Sequence, residues 1–97
     1  MFDAVLLGIY LKCWAKETIF CPPHHPESKL RVQREYVNFG PFYDIVWRID
    51  DLRETNQKLD PCNFQIRCSA PLLRKEMERI EREVITPQVR AMLTQMQ

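Results

Sequence analysis

Residues 29–49 read KLRVQREYVNFGPFYDIVWRI, in which two segments rich in β-branched and aromatic residues flank a glycine and a proline. Apolar and polar side chains alternate from Leu30 to Gln33, which is the period-two pattern of a half-buried strand. The segment Asn38–Pro41 has the composition of a tight turn. This arrangement predicts a first strand that ends in a reverse turn.

Residues 42–49, FYDIVWRI, are compatible with two structures. A helix would begin at Pro41, a residue well suited to a first helical turn, and would present one apolar face. A strand would bring Tyr43 and Trp47 to the same face as its isoleucines. Six of the eight residues are aromatic or β-branched, the types that strands favour. We therefore predict a strand, and with it a β-hairpin over residues 29–49.

The N-terminal segment, residues 2–15 (FDAVLLGIYLKCWA), is apolar on nearly every side. Apolar residues recur at spacings of three and four from Ala4 to Trp14, as on one face of a helix. A buried strand over residues 4–14 is the alternative, because a short apolar run does not separate the two by periodicity. Gly8 weakens a helix by about 1 kcal/mol relative to Ala. We favour the helix.

The C-terminal third predicts two helices. The first begins at Pro71, and the second begins at the Thr86-Pro87 pair, where Thr is a good N-cap and Pro a good first residue. An unbroken helix would put polar residues on the buried face beyond Val84. The first apolar stripe comprises Leu73, Met77, Ile80 and Val84, and the second comprises Val89, Met92, Leu93 and Met96.

Residues 63–68 alternate once more and predict a further strand. The expected fold is therefore α+β: an antiparallel sheet of three to five strands, packed by two C-terminal helices and an N-terminal helix. Ninety-seven residues suit one domain, which we assign to residues 1–97.

Composition excludes several classes of function. Lys+Arg is 14 and Asp+Glu is 13, so the chain lacks the basic excess typical of proteins bound along nucleic-acid backbones. Only two glycines are present, which excludes the glycine-rich phosphate-binding loops. The start of the chain does not have the pattern of a secretory signal, since Asp3 stands where a basic residue is expected. We therefore expect a cytoplasmic protein with reduced thiols and no membrane span.

A metal site has one weak indication. Cys21 and His24 have the two-residue gap that lets two ligands hold one ion, but no second tight pair completes a closed zinc site. No triad or other nucleophile signature is present, and both histidines lie in one proline-rich loop. We predict no catalytic residue, no cofactor and no metal, while binding of metal by Cys21 and His24 stays open.

The supply of apolar residues indicates a binding function. Two Trp, three Tyr and five Phe, together with an apolar N-terminal segment, have to share one small core. A terminal helix of about ten residues is unstable alone and has to dock on its own sheet or on another chain. We predict a non-catalytic protein–protein interaction module that forms a homo-oligomer or binds another protein. The candidate contact residues are Met92, Leu93, Met96, Trp47 and Tyr43.

A small nucleic-acid-binding module, with or without the assistance of zinc, is the alternative function. It would use Lys29, Arg31 and Arg34 on the first hairpin strand, together with the loop that carries His24 and His25. Basic groups interleaved with aromatic residues on a sheet can bind single-stranded nucleic acid. A solvated sheet face has the same pattern, so we rank this function second.

Overall fold

The computed structural model of the chain describes residues 2–4 and 11–96, with side chains from residue 17 to residue 96. It contains an antiparallel sheet in which each strand pairs with the next along the chain. Four strands are long and the first has three residues. The strands are β1 (Phe2–Ala4), β2 (Leu11–Phe20), β3 (Leu30–Phe39), β4 (Phe42–Asp51) and β5 (Cys62–Ser69). With the helix that follows β5, this confirms the predicted α+β class.

The β3–β4 hairpin is the centre of the sheet, and its turn explains its register. Gly40 has φ +62°, a conformation that residues with a side chain rarely adopt, and Pro41 follows it. Because the loop has only these two residues, Phe39 lies directly opposite Phe42 and the pairing continues to Leu30 opposite Asp51. The predicted hairpin is therefore confirmed, with residues 42–49 as a strand.

The C-terminal segment forms one helix, so the prediction of two separate helices is wrong. The helix spans residues 70–95 and changes its winding along its length. It comprises a 3₁₀ turn at Ala70–Leu72, α-helix at Leu73–Ile80, a π turn at Glu81–Ile85 and α-helix at Thr86–Gln95. All the residues that join these segments keep right-handed helical angles.

The π turn accounts for the shift in the apolar stripe. It adds one residue to a turn, so the buried positions step by five from Ile80 to Ile85 and then resume a helical spacing at Val89. Pro87 lacks a backbone N–H, and a proline ring clashes with the carbonyl four residues earlier in an α-helix. The Thr86 hydroxyl donates to the Glu81 carbonyl oxygen at 2.8 Å across this turn. The chain thus absorbs the proline without ending the helix.

The predicted N-terminal helix over residues 2–15 is also not found in the described residues. Phe2–Ala4 and Leu11–Phe20 are strands rather than parts of a helix, and the rest of the predicted helix, residues 5–10, lies outside the described residues. The register of β2 against β3 shifts between Trp14 and Lys16, as at a β-bulge. A bulge breaks the period-two alternation, and this conceals a strand in the sequence. No helix in the described part of the chain is long and apolar enough to cross a membrane.

The core lies between the helix and one face of the sheet, which we call the inner face. Its fully buried side chains come from β3 and β4, and four helix residues and Met96 pack on them. Alternate residues of the same strands point to the opposite face, which we call the outer face. The sheet residues of the core are Leu30, Ile45, Trp47, Ile49 and Cys68, those of the helix are Ile80, Ile85, Val89 and Met92, and Met96 directly follows the helix.

Candidate functional site

The predicted contact residues are mostly inside the molecule. Trp47, Met92 and Met96 are buried in the core, with Met92 only 2% exposed. Tyr43 and Leu93 are half-buried: Tyr43 packs edge-on against Tyr36, and Leu93 lines a cleft beside the helix. Of the five residues, only these two present surface in the folded chain, so contact of the others with a partner would require the helix to lift from the sheet.

The outer face of the sheet carries cross-strand pairs of polar residues. Arg31 on β3 bonds Asp50 on β4 at 3.1 Å, and Arg67 on β5 makes two hydrogen bonds to Asp44 at 2.6 and 3.1 Å. The hydrogen bonds and charge of Arg67 hold the pKa of Asp44 below its ordinary value. Ion pairs that water can reach contribute little stability. The outer face therefore combines solvent-accessible ion pairs with the exposed apolar side chains of Ile19, Phe39 and Phe42.

The basic side chains of the predicted nucleic-acid site divide between the two faces. Arg31 is on the outer face with Asp50, whereas Arg34 is on the inner face with Glu81 at 2.8 Å. Arg67 also has a carboxylate partner, Asp44. Three of the arginines on this sheet are thus neutralised locally, and they do not form a single positive stripe.

The proline-rich loop between β2 and β3 places Cys21 and His24 on an exposed turn. The Cys21 thiol donates to the carbonyl oxygen of Pro26 at 3.3 Å. His25 Nδ1 lies 3.7 Å from a carboxylate oxygen of Glu27. Within the part of the chain that the structure describes, no three His, Cys, Asp or Glu side chains cluster as metal ligands would.

Three cysteines with described side chains are free thiols: Cys21, Cys62 and Cys68. Cys62 and Cys68 are six residues apart on one strand, a separation of about 20 Å, which excludes a bridge between them. Burial, followed by the charge of Glu76, raises the pKa of the Cys68 thiol, so this group is a poor nucleophile. Of the three thiols, Cys68 is buried, Cys62 is half-buried and Cys21 is exposed.

β5 pairs with β4 along one side, and its other side is an open edge of the sheet. Among the described residues no strand pairs with it, and its register against β4 runs without a shift from Cys62 to Ser69. Its residues alternate strictly: Asn63, Gln65 and Arg67 are exposed on the outer face, while the intervening Phe64 and Ile66 are half-buried. The strand contains no proline or lysine. A regular edge of this kind is a template for another strand.

The second candidate surface is a cleft on the inner face, between the helix and the β2–β3 side of the sheet. Its volume is about 340 Å³. The apolar lining residues are Phe20, Val32, Ile85, Val89 and Leu93, and the polar ones are Thr18, Arg34, Glu81, Thr86 and Arg90. The helix covers the inner face only in part, and this leaves the cleft open to solvent at its side.

A hydrogen-bonded network borders the cleft. One carboxylate oxygen of Glu81 accepts from Arg34 Nη1 at 2.8 Å and from the indole N–H of Trp47 at 3.3 Å. The Nε of Arg34 is buried and has no hydrogen-bond partner within the described chain. Sequence reasoning missed this network because its members are 34 and 47 residues apart. The one signal was an arginine at an inward position of β3, between Val32 and Tyr36.

A buried carboxylate at the end of β4 organises the loop that follows this strand. The side chain of Asp51 is fully buried and accepts hydrogen bonds from the Arg53 guanidinium and from the backbone N–H groups of Arg53 and Leu59. Burial raises the pKa of Asp51, but these hydrogen bonds outweigh it and lower the pKa to about 2. Asp51 therefore closes the loop that leads into β5.

Comparison with known proteins gives no relative: no family model matches the chain, and no curated protein or solved structure is significantly similar to it.

Proposed function

We propose that this chain is a non-catalytic protein–protein interaction module that assembles with a second copy of itself through β5. The observation that carries the proposal is the open, regular edge of that strand, Cys62–Ser69. Eight residues of backbone on this edge present donors and acceptors that a second strand would satisfy. Most specific homo-oligomers are two-fold dimers with a self-complementary patch, and an edge strand meets this condition when its own residues suit antiparallel pairing.

The residues of β5 are self-complementary about Gln65. In an antiparallel pair centred there, Gln65 faces its own copy and Asn63 faces Arg67, so no like charges are opposed. On the inner face, Phe64 faces Ile66, and both are half-buried in the single chain. Because the side-chain period is two, this register keeps apolar residues on one face and polar residues on the other. The two sheets would then form one continuous sheet.

Most of the contact residues predicted from the sequence would not touch the second copy in this assembly. Trp47, Met92 and Met96 support the sheet from within, and only Tyr43 and Leu93 have surface to offer. Contact of the terminal helix with a partner stays a prediction. A cytoplasmic location is also retained as part of the proposal, and the three free thiols of the described chain support a reducing compartment.

The test introduces charged side chains at position 65, the centre of the proposed two-fold pairing. Gln65→Lys and Gln65→Glu each put two like charges face to face, so each variant is expected to be monomeric by light scattering where the wild type is dimeric. An equimolar mixture of the two variants should recover the dimer as a Lys–Glu heterodimer. The control is Gln57→Lys, which adds the same charge at an exposed loop position off the sheet and should leave the dimer intact.

Two results would overturn the proposal. One is a wild type that stays monomeric in the high micromolar range. The other is a mixture of the Lys and Glu variants that gains no dimer, since the charges would then lie far from each other. Circular dichroism of each variant checks that the sheet remains folded, and position 65 is exposed, so the substitutions disturb no core packing.

A further inference from the structure

We propose that the cleft between the helix and the β2–β3 side of the sheet is a binding site for a small monoanionic amphiphile, such as a carboxylic acid with a short apolar tail. This site lies on the inner face and is separate from the β5 edge, so it stands independently of the proposed dimer. Its volume of about 340 Å³ is at the small end of the usual range for ligand pockets.

The walls of the cleft suit an apolar tail. Phe20 and Val32 contribute from the sheet, and Ile85, Val89 and Leu93 contribute from the helix. Burial of apolar ligand surface against such walls is favourable, and a few polar groups then fix the orientation of the ligand. Thr18 adds a hydroxyl group that can donate to an anion, whereas the Thr86 hydroxyl already donates to the Glu81 carbonyl oxygen and can only accept.

The charged side chains of the cleft favour a ligand that carries one negative charge. Among the side chains that the structure describes, two guanidinium groups, Arg34 and Arg90, and one carboxylate, Glu81, line it, which leaves an excess of one positive charge. Glu81 is engaged by Arg34, whereas Arg90 has no ion pair within the described chain. A single carboxylate would balance the site, and a second would be repelled by Glu81.

An unsatisfied donor provides the second argument for an anion. The Nε of Arg34 is buried without a hydrogen-bond partner in the described chain, although the same guanidinium bonds Glu81 through Nη1. A buried donor without an acceptor is unfavourable, and hydrogen bonds from arginine to a carboxylate are among the strongest in proteins. Because Nε itself is covered, a carboxylate in the cleft would pair with it only after the guanidinium turned toward the ligand, and a neutral apolar ligand would not favour that turn. The guanidinium groups, rather than the apolar walls, therefore determine the class of ligand.

Octanoate is the probe, and 1-octanol is its neutral counterpart. Titration of the wild-type protein with octanoate, followed by ¹H–¹⁵N NMR, should saturate with a Kd of about 1 mM or below, an ordinary value for a ligand of about ten non-hydrogen atoms. The Trp47 indole N–H resonance should shift, because this group donates to Glu81. Octanol should bind about tenfold more weakly, since it carries no charge to pair with arginine.

Two arginine variants locate the site. Arg90→Gln should weaken octanoate about tenfold and leave octanol unchanged. Arg82→Gln removes the same charge from an exposed position on the same helix outside the cleft and should change neither affinity. The proposal is overturned if octanoate does not saturate, if octanol binds as tightly, or if the two variants behave alike. Position 90 is exposed, so its substitution leaves the fold intact.

Discussion

The two faces of the β3–β4 hairpin are built from alternate residues of the same strands, yet they have opposite character. On the inner face Ile45, Trp47 and Ile49 are fully buried under the helix. On the outer face Asp44 and Arg48 are next to them in sequence, but Asp44 is half-buried and bonds Arg67, and Arg48 is exposed. The difference shows that the position of the helix determines which face of the sheet becomes the core.

The largest expected effect comes from a truncation on the inner face. Ile45→Ala removes a fully buried side chain and should lower the free energy of unfolding by about 2–5 kcal/mol, because it leaves a cavity under the helix. The next residue, Val46, is half-buried on the outer face, and Val46→Ala should lower it by less than about 1 kcal/mol. Urea denaturation measures both. Equal losses would mean that the two faces do not differ.

Acid should weaken the inner face through Asp51. Its folded pKa of about 2 lies below the ordinary value of 3.8, so its stabilisation is fully present above pH 4 and is lost as the pH falls from about 4 to 2. The loss should be on the order of 2 kcal/mol. The variant Asp51→Asn lacks this carboxylate, and its stability should depend less steeply on pH over that interval. If the free energy of unfolding fell equally with pH in both proteins, Asp51 would not be the source of the acid sensitivity.

The Arg34–Glu81 ion pair tests how well the helix excludes water from the inner face beside the cleft. Its side chains are 16% and 29% exposed, so solvent screens the pair only in part. A double-mutant cycle with Arg34→Gln and Glu81→Gln should give a coupling of about 1 kcal/mol. A coupling near zero would show that the pair is as hydrated as the pairs on the outer face.

The smallest expected effect belongs to the outer face. Asp44→Asn breaks the exposed ion pair with Arg67 and should change the free energy of unfolding by less than about 1 kcal/mol, because exposed pairs are screened by water and salt. The change should shrink further in high salt. A loss as large as that of Ile45→Ala would mean that this face is covered by a partner in solution.

Local chemistry made part of this fold predictable. The hairpin follows from Gly40-Pro41 and the flanking β-branched and aromatic residues, and the helix from Pro71 onward follows from its apolar spacing. The sequence also showed that the apolar stripe rotates at Thr86-Pro87. It did not show that a π turn would accommodate the rotation, because two separate helices and one helix with a π turn give the same pattern of apolar residues.

Long-range pairing made the rest unpredictable. Residues 11–20 have no clear alternation because a register shift lies between Trp14 and Lys16, so the sequence left a strand over residues 4–14 only as the alternative to a helix. The cleft depends on contacts between β2, β3 and the helix, and Glu81 reaches Arg34 across 47 residues. The open edge depends on the order of the strands. Both candidate sites are therefore properties of tertiary structure rather than of sequence motifs.

Amide hydrogen exchange of β5, measured over a range of protein concentrations, tests the proposed assembly most directly. If β5 pairs with a second copy, the amides of Cys62–Ser69 that point away from β4 should become more protected as the concentration rises, while the amides of β3 should show protection that does not depend on concentration. Outward amides of β5 that exchange rapidly at every concentration would contradict the account.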